Sequence, residues 1–244
     1  MNAVIVVAGL TKRCRTGLAV DDISFSVKKG SITALLGGNG AGKTTTISMM
    51  LGTLIPTAGS VTILGHDMGR ARFAALARMN FSSPYVDLPK KLSVRKILYI
   101  YAQLYGVDDI KNRIEEVAES LDLTDFLNRP AGQLSAGQQT RVSLAKSLIN
   151  KPDVLLLDEP TASLDPDTAD KIRSYLDQQR KTHGMTIVLA SHNMREVERL
   201  CDHVLMMKKG KIIDQGAPQQ LIDKHGRRDM EDVFLALARG EVAA

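Results

Sequence analysis

Tryptophan is absent, and aromatic residues make up only 4% of the 244 positions. A surface that stacks exposed nucleobases therefore has little to build with, and no nucleic-acid partner is expected. Two cysteines, Cys14 and Cys201, are too few for a disulfide framework, which favours a reducing compartment. There is no block of like charge. Lys28-Lys29, Lys90-Lys91, Lys208-Lys209 and Arg227-Arg228 are dispersed pairs, and the formal net charge of +5 selects no partner class. Apolar Ala3 to Leu10 lacks a preceding basic region and a small-residue cleavage site, so no signal peptide is expected. Thr44 to Gly65 runs 22 residues without charge. Gly52, Pro56 and Gly59 break it, and no membrane span is expected.

The content that remains is that of a folded domain, since 44% hydrophobic and 24% charged residues argue against disorder. Short apolar runs at Ile5-Val6-Val7, Ile23 to Val27, Ile32 to Leu36, Val154 to Leu157, Thr186 to Ala190 and Val204 to Met207 read as strands. Lys209-Gly210-Lys211 turns the last of them towards Ile212-Ile213, a hairpin. Within the charge-free run, Ile47, Met50, Leu51 and Leu54 keep helical spacing, and Val61, Ile63 and Leu64 suggest a short strand. The middle third is helical instead. Val94, Ile97, Leu98, Tyr101, Leu104 and Tyr105 mark one amphipathic helix, and Ile110, Ile114, Val117, Ala118 and Leu121 mark another. Ser135-Ala136-Gly137-Gln138 matches a capping box that opens a third. An α/β fold with a helical lobe at about residues 85–150, inside a single domain of residues 1–244, is the expectation.

Gly37-Gly38-Asn39-Gly40-Ala41-Gly42-Lys43-Thr44 is a complete G-x-x-x-x-G-K-[ST] phosphate loop, set between an apolar strand and a helical pattern. Small residues let backbone N–H groups converge on phosphates, and the following helix start adds a favourable dipole. Lys43 should reach the β- and γ-phosphates, and the Thr44 hydroxyl should bind Mg²⁺. Asp158 and Glu159 end the apolar run Val154 to Leu157, 115 residues beyond Lys43. That places Asp158 as a metal ligand and Glu159 as the group that prepares water. Two acids after a strand also suit a solvated loop start; the phosphate loop is what favours the functional reading.

These residues together resemble the ATP-binding cassette (ABC) ATPases. Leu134-Ser135-Ala136-Gly137-Gln138-Gln139 is similar to that family's signature, Ser163-Leu164-Asp165 to its D-loop, and His192 to its switch histidine. Taken singly, a histidine such as His192 is more often an ordinary strand-end residue; the set of motifs is what favours the switch reading. The resemblance covers nearly the whole chain, with the motifs in the family's order. It implies a P-loop NTPase core with a parallel sheet, an N-terminal antiparallel β subdomain and an inserted helical subdomain. It also implies ATP and Mg²⁺ as cofactors, with Thr45 beside Thr44 in the nucleotide site and Glu159 and His192 in catalysis. The signature of one cassette would face a phosphate on a second, in a homodimer, while separately encoded transmembrane permease subunits would carry the substrate. The expected location is cytoplasmic, on the inner face of the membrane. Met230-Glu231-Asp232-Val233-Phe234 resembles the C-terminal part of exporter-type cassettes. The alternative is a soluble ATPase of the same superfamily acting in translation or DNA repair.

Two departures from the family pattern stand out. Cys14 occupies about the place of the aromatic that stacks on adenine, and Asn80-Phe81-Ser82-Ser83-Pro84-Tyr85 lacks the family's metal-sensing glutamine. Ser83 is too short to do more than touch Mg²⁺ through water. Coupling to the membrane subunit is expected to pass through the backbone and the patch Tyr85, Val86 and Leu88.

Overall fold

The computed structural model describes residues 3–15, 17–84 and 87–239. In chain order the strands begin with β1 (Ala3–Cys14), β2 (Gly17–Lys28) and β3 (Ile32–Leu36), followed by α1 (Lys43–Met50). Next come β4 (Ala58–Ile63), β5 (His66–Asp67), α2 (Arg72–Leu76) and β6 (Met79–Ser82). The helices α3 (Val94–Leu104), α4 (Ile110–Ser120) and α5 (Ala136–Leu148) lead to β7 (Val154–Asp158) and α6 (Pro166–His183). The chain continues through β8 (Thr186–Ser191), α7 (Met194–Leu200), β9 (His203–Lys208) and β10 (Lys211–Gly216). It then forms α8 (Pro218–His225) and α9 (Met230–Arg239).

Two compact units contain these elements, one made of Met1–Leu76 with Thr186–Ala244 and the other of Ala77–Met185. In the first, β2, β1, β4 and β5 form an antiparallel sheet in that order. Alternation in β2 sends Ile23, Phe25 and Val27 inward, as a half-buried strand requires, and Val20 is buried on the other side of the irregularity at Asp22. β1 and β2 run longer than their apolar cores because the polar residues near the hairpin still pair, Lys12 with Val20 and Cys14 with Gly17. β3 lies parallel to both β8 and β9, and β9 turns back antiparallel into β10. Every residue of β3 and of β8 is buried. Such strands, covered on both faces, show no alternation.

In the second unit, β6 and β7 pair in parallel, Met79 opposite Val154 and Ser82 opposite Leu157. α3 buries Val94, Ile97, Leu98 and Ala102. Leu104, expected on the inner face, is 73% exposed. The buried positions follow i, i+3, i+4 and i+8, so Ala102 takes the place on the stripe and Leu104 falls outside it. A second difference lies at α1. It stops at Met50, Gly52 adopts φ +66° and Leu54 lies beyond the helix, because a left-handed glycine ends it. Among the described residues no helix is long and apolar enough to cross a membrane.

Candidate functional site

The phosphate loop joins β3 to α1 in the first unit. Gly38, Asn39 and Gly40 are exposed, whereas Gly37 and Ala41 are buried. Gly42 takes φ +105° as the N-cap of α1 and supplies no side-chain cap. A Cβ at Gly42 would lie 2.7 Å from the carbonyl oxygen of Ala19, so both the backbone conformation and the space demand glycine. Without a capping side chain and with no acid in the first turn, the α1 amide donors are oriented for an external anion. Lys43 is buried and its Nζ donates to Gly37 O at 2.6 Å and Gly38 O at 3.3 Å, which keeps the ammonium within the curve of the loop. Thr44 is exposed at the helix start, next to Thr45. This donor set fits a polyphosphate: a cation beside exposed glycines and the uncapped start of α1, with no carboxylate in the loop.

The turn between β9 and β10 supports the loop from behind. Gly210 N donates to Ala41 O at 3.0 Å, and Asp21 N donates to Gly210 O at 2.9 Å. Nothing in the sequence spacing links residue 210 to residue 41, so this brace is visible only in three dimensions. His192 follows Ser191, which pairs in register with Leu36 immediately before the loop. The unit therefore brings the phosphate loop and the switch histidine to the same end of adjacent parallel strands. His192 itself is exposed between two fixed neighbours. Ser191 Oγ donates to Glu196 Oε2 at 2.8 Å and accepts from Asn193 N at 3.0 Å, while Asn193 caps α7.

The second unit holds the remaining motifs. Asp158 ends β7 and is buried, and Glu159 follows with φ +50°. A non-glycine residue in the left-handed region carries strain, and such strain collects where a side chain must be aimed. Ser135 caps α5, accepting from Gln138 N at 3.2 Å, while Gln138 Oε1 accepts from Ser135 N at 3.0 Å. The predicted capping box is thus formed. Leu134 is buried beneath it, and Ser135 and Ala136 are exposed. A Cβ at Gly137 would come within 2.9 Å of Ser163 O, so the signature and the D-loop pack together through a glycine. Leu164 borders the same contact. Asp165 caps α6 with Pro166 at its first position, and the Thr168 backbone N–H holds its carboxyl below the usual carboxylate range. That cap was legible from Asp-Pro alone.

Ser83 is 4% exposed, and Leu88 is 7% exposed. Leu88 therefore belongs to the core, which removes it from the expected docking patch, because a buried leucine offers a partner no surface. Tyr85 and Val86 lie outside the described residues. Cys14, at the end of β1, is exposed, and Cys201 is buried.

The class defined by this fold and loop is a P-loop ATPase with an antiparallel β subdomain and a set of helices in its second unit. The chain matches the ABC transporter family over residues 20–162 and belongs to it. It is 34% identical over 226 residues to the ABC transporter ATP-binding protein NatA of Bacillus subtilis, covering 91% of this chain and 92% of that protein. It is 36% identical to the Nod factor export ATP-binding protein I of Ralstonia nicotianae, covering 95% of this chain and 72% of that one. Among solved structures, cbiO1 of Clostridium perfringens, part of the ABC transporter complex cbiONQ, superposes with a TM-score of 0.80 at 29% identity. That match covers 91% of this chain and 92% of cbiO1. The protein is an ATP-binding, ATP-hydrolysing subunit of an ABC transporter, and the alternative of a soluble ATPase in translation or DNA repair is not favoured.

Proposed function

We propose that two copies of this chain form a paired ATPase at the inner face of a membrane and drive export through separately encoded transmembrane subunits. The observation that carries the reading is the signature helix, whose start exposes Ser135 and Ala136 above a completed capping box. A helix N-terminus presented in this way suits a phosphate held by a second copy. In this reading Ser135, Ala136, Gly137 and Gln138 face the partner's nucleotide, Leu134, expected with them, is buried and packs beneath them, and Ser163, Leu164 and Asp165 line the seam. The whole of residues 1–244 acts as one cassette, with a helical lobe at about residues 85–150. Export, rather than import, is supported by the name of the Nod factor relative and by α9, which contains Met230 to Phe234.

Within each site, Lys43 and the loop amides bind and orient the phosphates. Glu159 accepts the proton of the attacking water, and His192 donates to the γ-phosphate. Thr44 and Asp158 would hold Mg²⁺, which would supply positive charge to offset that of the phosphates. Among the described residues no group of three or more His, Cys, Asp or Glu could hold a metal. An ion completed by one carboxylate, one hydroxyl, water and phosphate requires no such group.

The pairing is tested by sedimentation of the Glu159→Gln variant across an ATP titration. Dimers that appear with ATP and disperse on its removal are expected. A variant that stays monomeric at millimolar ATP would overturn the homodimer in favour of a different partner cassette.

The exposed Cys14 offers little area to a nucleobase, so discrimination among purine nucleotides should be weak. Cys14→Tyr should tighten ATP binding by up to ~1–3 kcal/mol, the value of one base–aromatic stack. Unchanged affinity by calorimetry would show that another side chain covers the base.

A further inference from the structure

The signature occupies the first turn of α5, and the far end of that helix is fastened by side chains from two other elements of its unit. A helix leaves its last carbonyls without intrahelical partners. From β6, Asn80 Nδ2 donates to Ser147 O at 2.7 Å and to Asn150 Oδ1 at 2.6 Å. From α4, Arg113 Nε donates to Ile149 O at 2.9 Å and Nη2 to Leu148 O at 2.5 Å. One helical turn closer to the signature, the hydroxyls of Ser82 and Ser143 lie 3.2 Å apart. Asn80, Ser82, Arg113, Ser143 and Ser147 are all buried, so the contacts to the α5 carbonyls and between the two hydroxyls are made away from water.

The spacing of the two β6 contacts is what gives them a mechanical meaning. Asn80 and Ser82 are two residues apart and project to the same face of the strand. They span about 6.6 Å along β6. Their partners Ser147 and Ser143 are four residues apart, about 6 Å along α5, in the opposite order. Strand and helix are therefore matched antiparallel, step for step, at two points. A slide of the helix by one residue would break both contacts and strand buried donors and acceptors. β6 ends at Ser82 and runs directly into Ser83-Pro84, the segment that stands in place of the family's glutamine.

We propose that Asn80 and Ser82 are positioning residues for the signature: they lock α5 in axial register on β6, so that a displacement of the Ser83-Pro84 segment moves the Ser135 end. This rests on the reading that the signature meets a partner's phosphate. Arg113 reaches the same helix end from α4, and its ion pair with Glu116 at 2.7 Å, one turn along α4, orients the guanidinium. Phosphate-loop binding of nucleotide uses none of these side chains. The device therefore acts on assembly and turnover while leaving the first ATP contact alone.

The test uses the full chain, with dimerisation read in the Glu159→Gln background and nucleotide binding by calorimetry with ATP. Ser82→Ala, Ser143→Ala and the double variant should each raise the ATP concentration for half-maximal dimerisation. Roughly fivefold is the shift expected for one net hydrogen bond. The double variant should match either single variant, since each hydroxyl acts through the other. Asn80→Leu, which keeps the side-chain size and removes the donor, should shift the midpoint further. In all four the dissociation constant of ATP for the monomer should stay within about twofold. Should Asn80→Leu fail to fold, the serine set alone decides the question. Serine variants with an unmoved midpoint, or with effects that simply add, would overturn the proposal. So would ATP affinity falling in step with dimerisation, the mark of a merely structural role. If the Glu159→Gln parent itself never dimerises, the homodimer reading fails and takes the proposal with it. A parent that dimerises beside serine variants indistinguishable from it sinks the proposal alone.

Discussion

Glu159→Gln should retain ATP binding while steady-state turnover falls by ~10²-fold or more, the usual size of a general-base effect. Glutamine keeps the volume and one acceptor oxygen, so the ligand contacts and the fold survive, but the amide cannot take a proton from water. The backbone at Glu159, with φ +50°, holds the side chain in a conformation that its neighbours must stabilise. Asp158 cannot substitute, because it is the buried last residue of β7 and is assigned to the metal. The check is phosphate release under saturating ATP together with calorimetric binding. Undiminished turnover in the variant would remove Glu159 from the chemistry.

Lys43→Ala should act at the earlier step and weaken nucleotide binding itself. The native ammonium is held inside the loop by Gly37 O and Gly38 O, ready to exchange those neutral acceptors for phosphate oxygens. Hydrogen bonds to a charged acceptor contribute ~1.5–3 kcal/mol, so the dissociation constant should rise roughly ten- to a hundredfold. Melting temperature without nucleotide should change little relative to that loss, since removing Lys43 gives up two hydrogen bonds to neutral carbonyls but also relieves the cost of burying its ammonium. Thermal shift with and without ATP separates the effects: the parent gains stability on ATP addition and the variant gains almost none. Native affinity in Lys43→Ala would refute the assignment of the loop.

The two variants fail at different stages, and comparing them orders the sequence of events. Glu159→Gln should accumulate the ATP-bound form, whereas Lys43→Ala should populate it only at roughly ten- to a hundredfold higher ATP. Hydrolysis at a fixed low ATP concentration should fall in both. Only the binding isotherm tells them apart.

Local chemistry carried much of this into the amino-acid sequence. A phosphate loop is a contiguous string whose glycines, lysine and hydroxyl act through their own backbone, so its spacing is its geometry. The capping box at Ser135 is likewise readable, because its partners lie within a few residues, and the acids closing β7 are readable from the apolar run that they end. What neighbours do across the fold was not readable. Gly42 is required by Ala19, Gly137 by Ser163, and the loop is braced by Gly210, all through contacts between residues distant in sequence. Leu104 and Leu88 exchanged their expected places between surface and core because burial is set by what packs opposite, and periodicity records only the face. The fastening of α5 by Asn80, Ser82 and Arg113 is of the same kind. Each of those residues is unremarkable in its own segment, and only tertiary packing turns a strand asparagine and a buried serine into the seat of the signature helix.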